Sequence, residues 1–205
     1  MKLTIFGASG ATGRLLVAQA LDAGHDVTVL LRRADSLPLT HARLTRVVGS
    51  LDDPAAVQGA VQGADAVLSA LGARKGGAQT ICTDGMRAIL PAMQAAGVHR
   101  LVALSAYGAA ETHSASWFIR FVRMVIRDKM QDKDRMEDLV RASATDWTLV
   151  RPAMLTNGRA TGAYRSGIAL RPAVTGHLSR ADLAAFMLDA AIYGAHIHAA
   201  PVVST

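Results

Sequence analysis

Three glycines spaced as Gly7-x-x-Gly10-x-x-Gly13 are the first residues whose types and spacing imply chemistry. In such a loop one glycine turns the chain sharply off a strand, and the next lets backbone approach a diphosphate. The last lets the following helix pack closely on the sheet. The first-turn N–H groups of that helix then face the phosphates, where its dipole favours negative charge. Ser9, Ala11 and Thr12 complete the loop and offer hydroxyl or backbone donors. The glycines are spaced three and three, where the commonest dinucleotide fingerprint has two and three. An ordinary tight turn would use the same residues, but the strand before and the helix after are those the motif requires.

About 20 residues beyond such a loop, an NAD site places Asp or Glu to accept from the ribose 2′-hydroxyl. Here Arg32-Arg33 follow Val29-Leu30-Leu31 directly. Two guanidiniums suit a 2′-phosphate, which a carboxylate would repel. NADP(H) is therefore expected in preference to NAD(H).

The elements that must position these residues alternate. Lys2–Phe6 reads as a strand, Leu15 to Leu21 has helical spacing ended by Gly24, and Asp26–Leu31 is a β-branched strand. The pattern repeats with strand Leu44–Val48, helix Pro54–Val61, strand Ala66–Ala70, helix Thr80–Ala96 and strand Arg100–Ser105. A helical stretch from Trp117 to Arg141, broken near Asp128, leads to strand Trp147–Arg151, stopped by Pro152. Residues 152–180 are expected as loops over the active-site edge, with Thr156–Pro172 a loop or a small extra strand. Ser179 is placed to cap a helix over Leu183–Leu188, and a short strand falls near Pro201–Val203. The reading is α/β: one Rossmann-type domain over residues 1–205, a doubly wound parallel sheet in three α/β/α layers.

Half of the residues are hydrophobic (51%) and only 4% aromatic, which suits helices packed closely on a parallel sheet. A net charge of +6 raises nucleic acid as a partner, but the arginines are dispersed and few aromatics exist to stack on bases. An anionic cofactor or substrate accounts for the charge, and no specific nucleic-acid binding is expected. Cys82 is the single cysteine, so neither an intramolecular disulfide nor a cysteine zinc site can form. A strand-like run directly after Met1 gives the expectation of no leader, and no apolar run is long enough for a transmembrane segment. The expectation is a cytoplasmic monomer or homodimer with a small-molecule acceptor.

The run Met1–Gly13 together with Ser105, Trp147–Pro152 and Ser179–Leu188 resembles the atypical short-chain dehydrogenase/reductases, the NmrA-like NAD(P)H-binding group. Within it the likeness is to the biliverdin-IXβ reductase type of NADPH flavin reductase. It rests on Val27–Arg32 with Leu37-Pro38, Leu71-Gly72-Ala73-Arg74, Thr161-Gly162-Ala163-Tyr164 and the Asp182–Leu188 helix. The resemblance implies NADPH and hydride delivery to a flat conjugated acceptor, such as a flavin, quinone or tetrapyrrole. It implies Ser105 beside the nicotinamide, Arg74 after the fourth strand and Arg32 near the adenosine phosphate. With the loop residues it extends the expected cofactor site to Arg33, Ser50, Leu51, Leu71, Gly72, Pro152, Ala153 and Met154. Met154 stands where that type carries histidine and Ser50 where it carries aspartate, so tetrapyrrole specificity does not carry over.

Ketone reduction in the wider family protonates the alkoxide from a Tyr-x-x-x-Lys pair. That place reads Lys129-x-x-x-Lys133 here, and Tyr107 is followed four residues on by Glu111. Ser105 and Tyr107 are the catalytic candidates, with Tyr107 either a proton donor or packing at a strand end. Reduction of a flavin or quinone spreads charge over a ring and can take its proton from water, so it tolerates the missing pair. The alternative is an NmrA-type NADP(H)-binding sensor without turnover. In the segment 117–127, Arg120, Arg123 and Arg127 fall on one helical face. It reads as a core helix with a solvated stripe, the alternatives being a membrane-surface contact, a dimer helix or a roof over the acceptor pocket. His196 and His198 would share a face on a strand, but no third ligand is near, and no metal is expected.

Overall fold

Short apolar runs separated by helical stretches can pair in parallel only through crossovers. The computed structural model, which describes residues 1–73, 79–113 and 116–205, has this form. In chain order come β1 (Lys2–Phe6), α1 (Ala11–Asp22), β2 (Asp26–Leu31), β3 (Leu44–Val48), α2 (Pro54–Val61) and β4 (Ala66–Ser69). There follow α3 (Ile81–Ala96), β5 (Arg100–Leu104), α4 (Trp117–Val125), α5 (Arg127–Arg141) and β6 (Asp146–Pro152). The last elements are β7 (Met154–Thr156), β8 (Arg165–Gly167), β9 (His177–Ser179), α6 (Arg180–Tyr193) and β10 (Val202–Ser204).

The sheet order is β3-β2-β1-β4-β5-β6-β10-β8. Every pairing in it is parallel except that of β8, which runs antiparallel to β10. Order reverses at β1, whose neighbours are β2 and β4, and ligands of open α/β sheets bind at such a switch, beyond the carboxyl ends of the strands. Because successive side chains point to opposite faces, each central strand feeds two cores. Ile5, Val102 and Val150 join Leu16, Leu183 and Met187 of α1 and α6. Phe6, Leu101 and Leu149 join Val57, Met86, Ile89 and Met136 of α2, α3 and α5. Burial on both faces explains why these strands read as continuous apolar runs.

Three expectations are corrected. The helical stretch breaks at Ile126, and α4 has no buried residue, so it is not a core helix. Its arginine stripe does not exist, because Arg123 turns inward to Asp134. Segment 152–180, by contrast, takes the small-strand form the sequence allowed, with β7 and β9 paired in parallel and β8 edging the main sheet. His196 and His198 lie in a turn after α6 with φ of 59° and 53°, not on a strand. Their rings pack against Phe186 and Trp147 respectively, which directs them to different neighbours.

Segment 157–164 meets α6 at its two ends, where Arg180 donates to Asn157 at 2.7 Å and Tyr164 packs on Phe186, and in its middle is fastened by one carboxylate. Ser179 caps α6 by accepting from the Asp182 N–H, and Asp182 accepts from the Ser179 hydroxyl at 2.7 Å. The same carboxylate accepts from the N–H groups of Thr161 and Gly162, each at 2.8 Å. Burial works against its charge, but the bonds from Gly162, Ser179 and Thr161 prevail and hold the carboxyl below its ordinary value of 3.8. A depressed carboxylate contributes stability that is present above its unfolded-state value and lost as pH falls through the folded one. Wild-type protein should therefore resist limited proteolysis in 157–164 at neutral pH and become susceptible only on acidification below about pH 4. Asp182→Ala should be cleaved there at neutral pH already, and should lose about 1–3 kcal/mol in urea denaturation. Equal cleavage of both proteins would show that the carboxylate is not the fastening.

Candidate functional site

A cavity of about 320 Å³ opens where four strands end. Its wall takes Phe6, Gly7, Ser9 and Gly10 from the β1 side, Leu30 to Arg32 from β2 and Gly49 to Asp52 from β3. Ala70, Leu71 and Gly72 after β4, with Ile81 and Asp84 of α3, complete it. Gly7 has φ of +78°, and a Cβ there would lie 2.7 Å from the Ala70 carbonyl oxygen. A Cβ on Gly13 would lie 2.1 Å from the Gly7 oxygen, so α1 is pressed onto the loop as only glycine allows. The Gly10 N–H closes the turn on Gly7 O at 2.9 Å. Gly10 is also the N-cap of α1 and brings no side chain to the first-turn N–H groups. A close backbone cradle and a helix start without a side-chain cap are what a dinucleotide diphosphate needs, so the residues present fit that group.

Two nearby carboxylates, those of Asp53 and Asp84, are engaged by neighbouring groups. Asp53 caps α2 by accepting from Ala55 and Ala56 N–H, both at 3.1 Å. Asp84 accepts from the Thr80 hydroxyl at 2.6 Å and pairs with Arg87. Asp52 remains on the cavity wall, and its N–H donates to the Ser50 hydroxyl at 3.2 Å.

A second constellation lies at the carboxyl ends of β5 and β6. The Ser105 hydroxyl, buried, donates to Glu137 Oε1 of α5 at 2.5 Å. Arg151 of β6 grips the same carboxylate through Nε at 2.9 Å and also through Nη2. Its outer edge holds Glu111 through two bonds of 2.7 and 2.8 Å. The Arg151 bond holds the Glu111 carboxyl down at about 2, against a smaller upward push from burial. Burial opposes the charge on Arg151, but its bonds to the two glutamates outweigh this and raise its pKa further.

Helix α5 fastens the neighbouring loops as well. Asp132 accepts from the N–H groups of Cys82 and Thr83, both at 2.9 Å. The Lys133 ammonium donates to Leu71 O at 3.1 Å and Leu104 O at 2.5 Å, bridging the ends of β4 and β5. Asp134 accepts from Ala110 N–H and pairs with Arg123.

Of the residues expected from sequence, Gly7, Ser9, Gly10, Arg32, Ser50, Leu51, Leu71 and Gly72 line one cavity. Ala11, Thr12 and Gly13 form the first turn of α1 beside it. Arg33 is not on the wall; it is exposed and pairs with Asp35 at 3.2 Å. Ser105, Tyr107, Pro152, Ala153 and Met154 form the second group, where Tyr107 N–H donates to Pro152 O at 3.0 Å. Arg74 lies outside the described residues. Sequence reasoning missed Glu137 and Arg151. The signal available was Arg151 within an otherwise apolar strand, since a buried arginine requires a carboxylate partner.

Comparison with known proteins gives the same picture. Among curated relatives, the uncharacterized protein YwnB of Bacillus subtilis is 26% identical over 200 residues, covering 92% of this chain and 91% of YwnB. The (4-alkanoyl-5-oxo-2,5-dihydrofuran-3-yl)methyl phosphate reductase of Streptomyces griseus is 31% identical over 150 residues, 73% of this chain but 46% of that protein. Of solved structures, ChuY, an anaerobillin reductase from Escherichia coli O157:H7, superposes with TM-score 0.85 at 21% identity, covering 99% of this chain and 96% of ChuY. A short-chain dehydrogenase/reductase from Veillonella parvula in complex with NADP gives 0.83 at 20% identity, over 100% and 94% of the two chains. At these identities the structural likenesses are likenesses of fold. The family described as NAD(P)H-binding matches residues 7–192, from the first cradle glycine to the last turn of α6, and to that family the chain belongs.

Proposed function

We propose that the protein is an NADPH-dependent reductase that delivers hydride to a planar conjugated acceptor of the flavin, quinone or tetrapyrrole-like class. The observation that carries the cofactor choice is Arg32. It lines the cavity at the end of β2, with no carboxylate partner among the described residues, where an NAD site would hold an acidic side chain. Gly7, Gly10 and the first turn of α1 would hold the diphosphate, Arg32 the 2′-phosphate, and Ser50 with Leu51 would border the adenine. Leu71 and Gly72 would lead toward the nicotinamide end at Ser105 and Pro152 to Met154. When bound, NADPH supplies the hydride.

The acceptor class follows from where the chain's own protons are committed. The Ser105 hydroxyl donates to Glu137, and the Lys133 ammonium donates to two carbonyls. Tyr107 has Glu111, not lysine, four residues on. A ketone acceptor needs a positioned acid at its oxygen, whereas a delocalised ring needs positioning and water. The reductases among the relatives and fold neighbours support this reading. The same committed donors also favour a second one, an NADP(H)-binding sensor of the NmrA type.

Oxidation of NADPH, followed near its absorbance maximum of about 340 nm, should proceed with FMN, a quinone or a tetrapyrrole, and faster than with NADH. Tight NADPH binding without turnover on any of the three would select the sensor. Arg32→Ala should weaken NADPH binding about tenfold and change NADH binding less than about twofold. Arg33→Ala should do less, because Arg33 is turned to Asp35; equal losses from both variants would dismiss the assignment. Glu137→Ala should cost about 3–5 kcal/mol in urea denaturation by stranding Arg151, and Glu137→Gln less.

A further inference from the structure

Helix α4 has two faces of different fate. Phe118, Ile119, Val122 and Arg123 occupy one arc, and Arg123 ties it down by donating to Gly108 O at 2.6 Å and pairing with Asp134. The opposite arc carries Trp117, Phe121, Met124 and Val125, exposed by 79%, 53%, 68% and 65%. At 3.6 residues per turn these four lie side by side, with Arg120 at the border of the stripe. Arg120, and Arg127 and Lys129 just beyond the helix, are exposed and have no ion-pair partner among the described residues. No Asp or Glu occurs from His113 to Arg127.

We propose that α4 docks the protein on an anionic lipid surface. Trp117, Phe121, Met124 and Val125 enter the boundary between headgroups and acyl chains, while Arg120, Arg127 and Lys129 meet lipid phosphates. Charge selects this occupant. A second copy packed about a two-fold axis would set the same three cations against their own mates. A nucleic-acid strand would satisfy the cations and stack on the aromatics, but would leave Met124 and Val125 in water. Among the described residues no helix is long and apolar enough to cross a membrane, so the contact lies in the plane of the surface. The inference is independent of the reductase reading.

The chain has two tryptophans, and Trp147 is buried, so Trp117 reports on the helix. Full-length protein mixed with vesicles of phosphatidylcholine and phosphatidylglycerol, about 3:1, should show a blue-shifted emission protected from acrylamide. Vesicles of phosphatidylcholine alone should give little shift, and about 0.5 M salt should reverse it. Phe121→Glu, and separately Arg120→Glu with Arg127→Glu, should weaken partitioning roughly tenfold or more. Circular dichroism and NADPH affinity without lipid should stay unchanged, because α4 buries no residue and lies outside the cavity. No shift with anionic vesicles, an equal shift with both vesicle types, or a concentration-dependent shift without lipid would each overturn the proposal, the last in favour of a second copy.

Discussion

Arg151 stands in the interior with 1% of its surface exposed, where an unpaired guanidinium would cost several kcal/mol. Its partner Glu137 is equally buried and belongs to a different layer, so the pair fixes the distance and rotation of α5 against β6. Everything at that corner of the sheet follows from it. Ser105 is drawn to the same carboxylate, Glu111 closes over the outer edge of the guanidinium, and Arg141 joins both glutamates. With α5 held, Asp132 reaches the first turn of α3, Lys133 bridges the ends of β4 and β5, and Asp134 reaches the segment after β5. The carboxyl edge is thus organised by charge, while the sheet beneath it is organised by apolar area.

The cavity depends on a different constraint, the absence of side chains. Gly7 and Gly13 let α1 begin against the loop, and this brings the helix start to the switch between β2 and β4. The two constraints meet at Leu71, which lines the cavity and whose carbonyl accepts from Lys133. A change in either neighbourhood is therefore felt in the other through the segment after β4.

The sequence made the fold readable because the information was local. Alternating elements, the glycine loop, the Ser179 cap and the Gly24 stop each declare themselves within a few residues. The cavity wall was legible for the same reason, since its residues sit at strand ends beside turn signals. Arg33 was not separable from Arg32, because their opposite directions come from strand alternation and the local pull of Asp35. Glu137 was hidden because Met136-Glu137-Asp138 looks like any mixed helical stretch, and its burial is set by Arg151 on another element. Helix α4 was misread because amphipathic spacing gives the width of an apolar stripe and not which way it faces. Arg123 reversed that choice by finding Asp134.

The far end of the sheet imposes an order in time. β10 lies between β6 and β8 and is fully buried, yet it comes after both of them in the chain. As a ribosome releases the polypeptide, β6 must wait with one open edge, and β8 with no strand beside it, until α6 and then β10 have appeared. The first five strands can zip together as they emerge, since each crossover returns to an edge already in place. The nascent molecule therefore carries an adhesive border for the interval in which its last quarter is made, and that is the stage at which a chaperone would find most to hold.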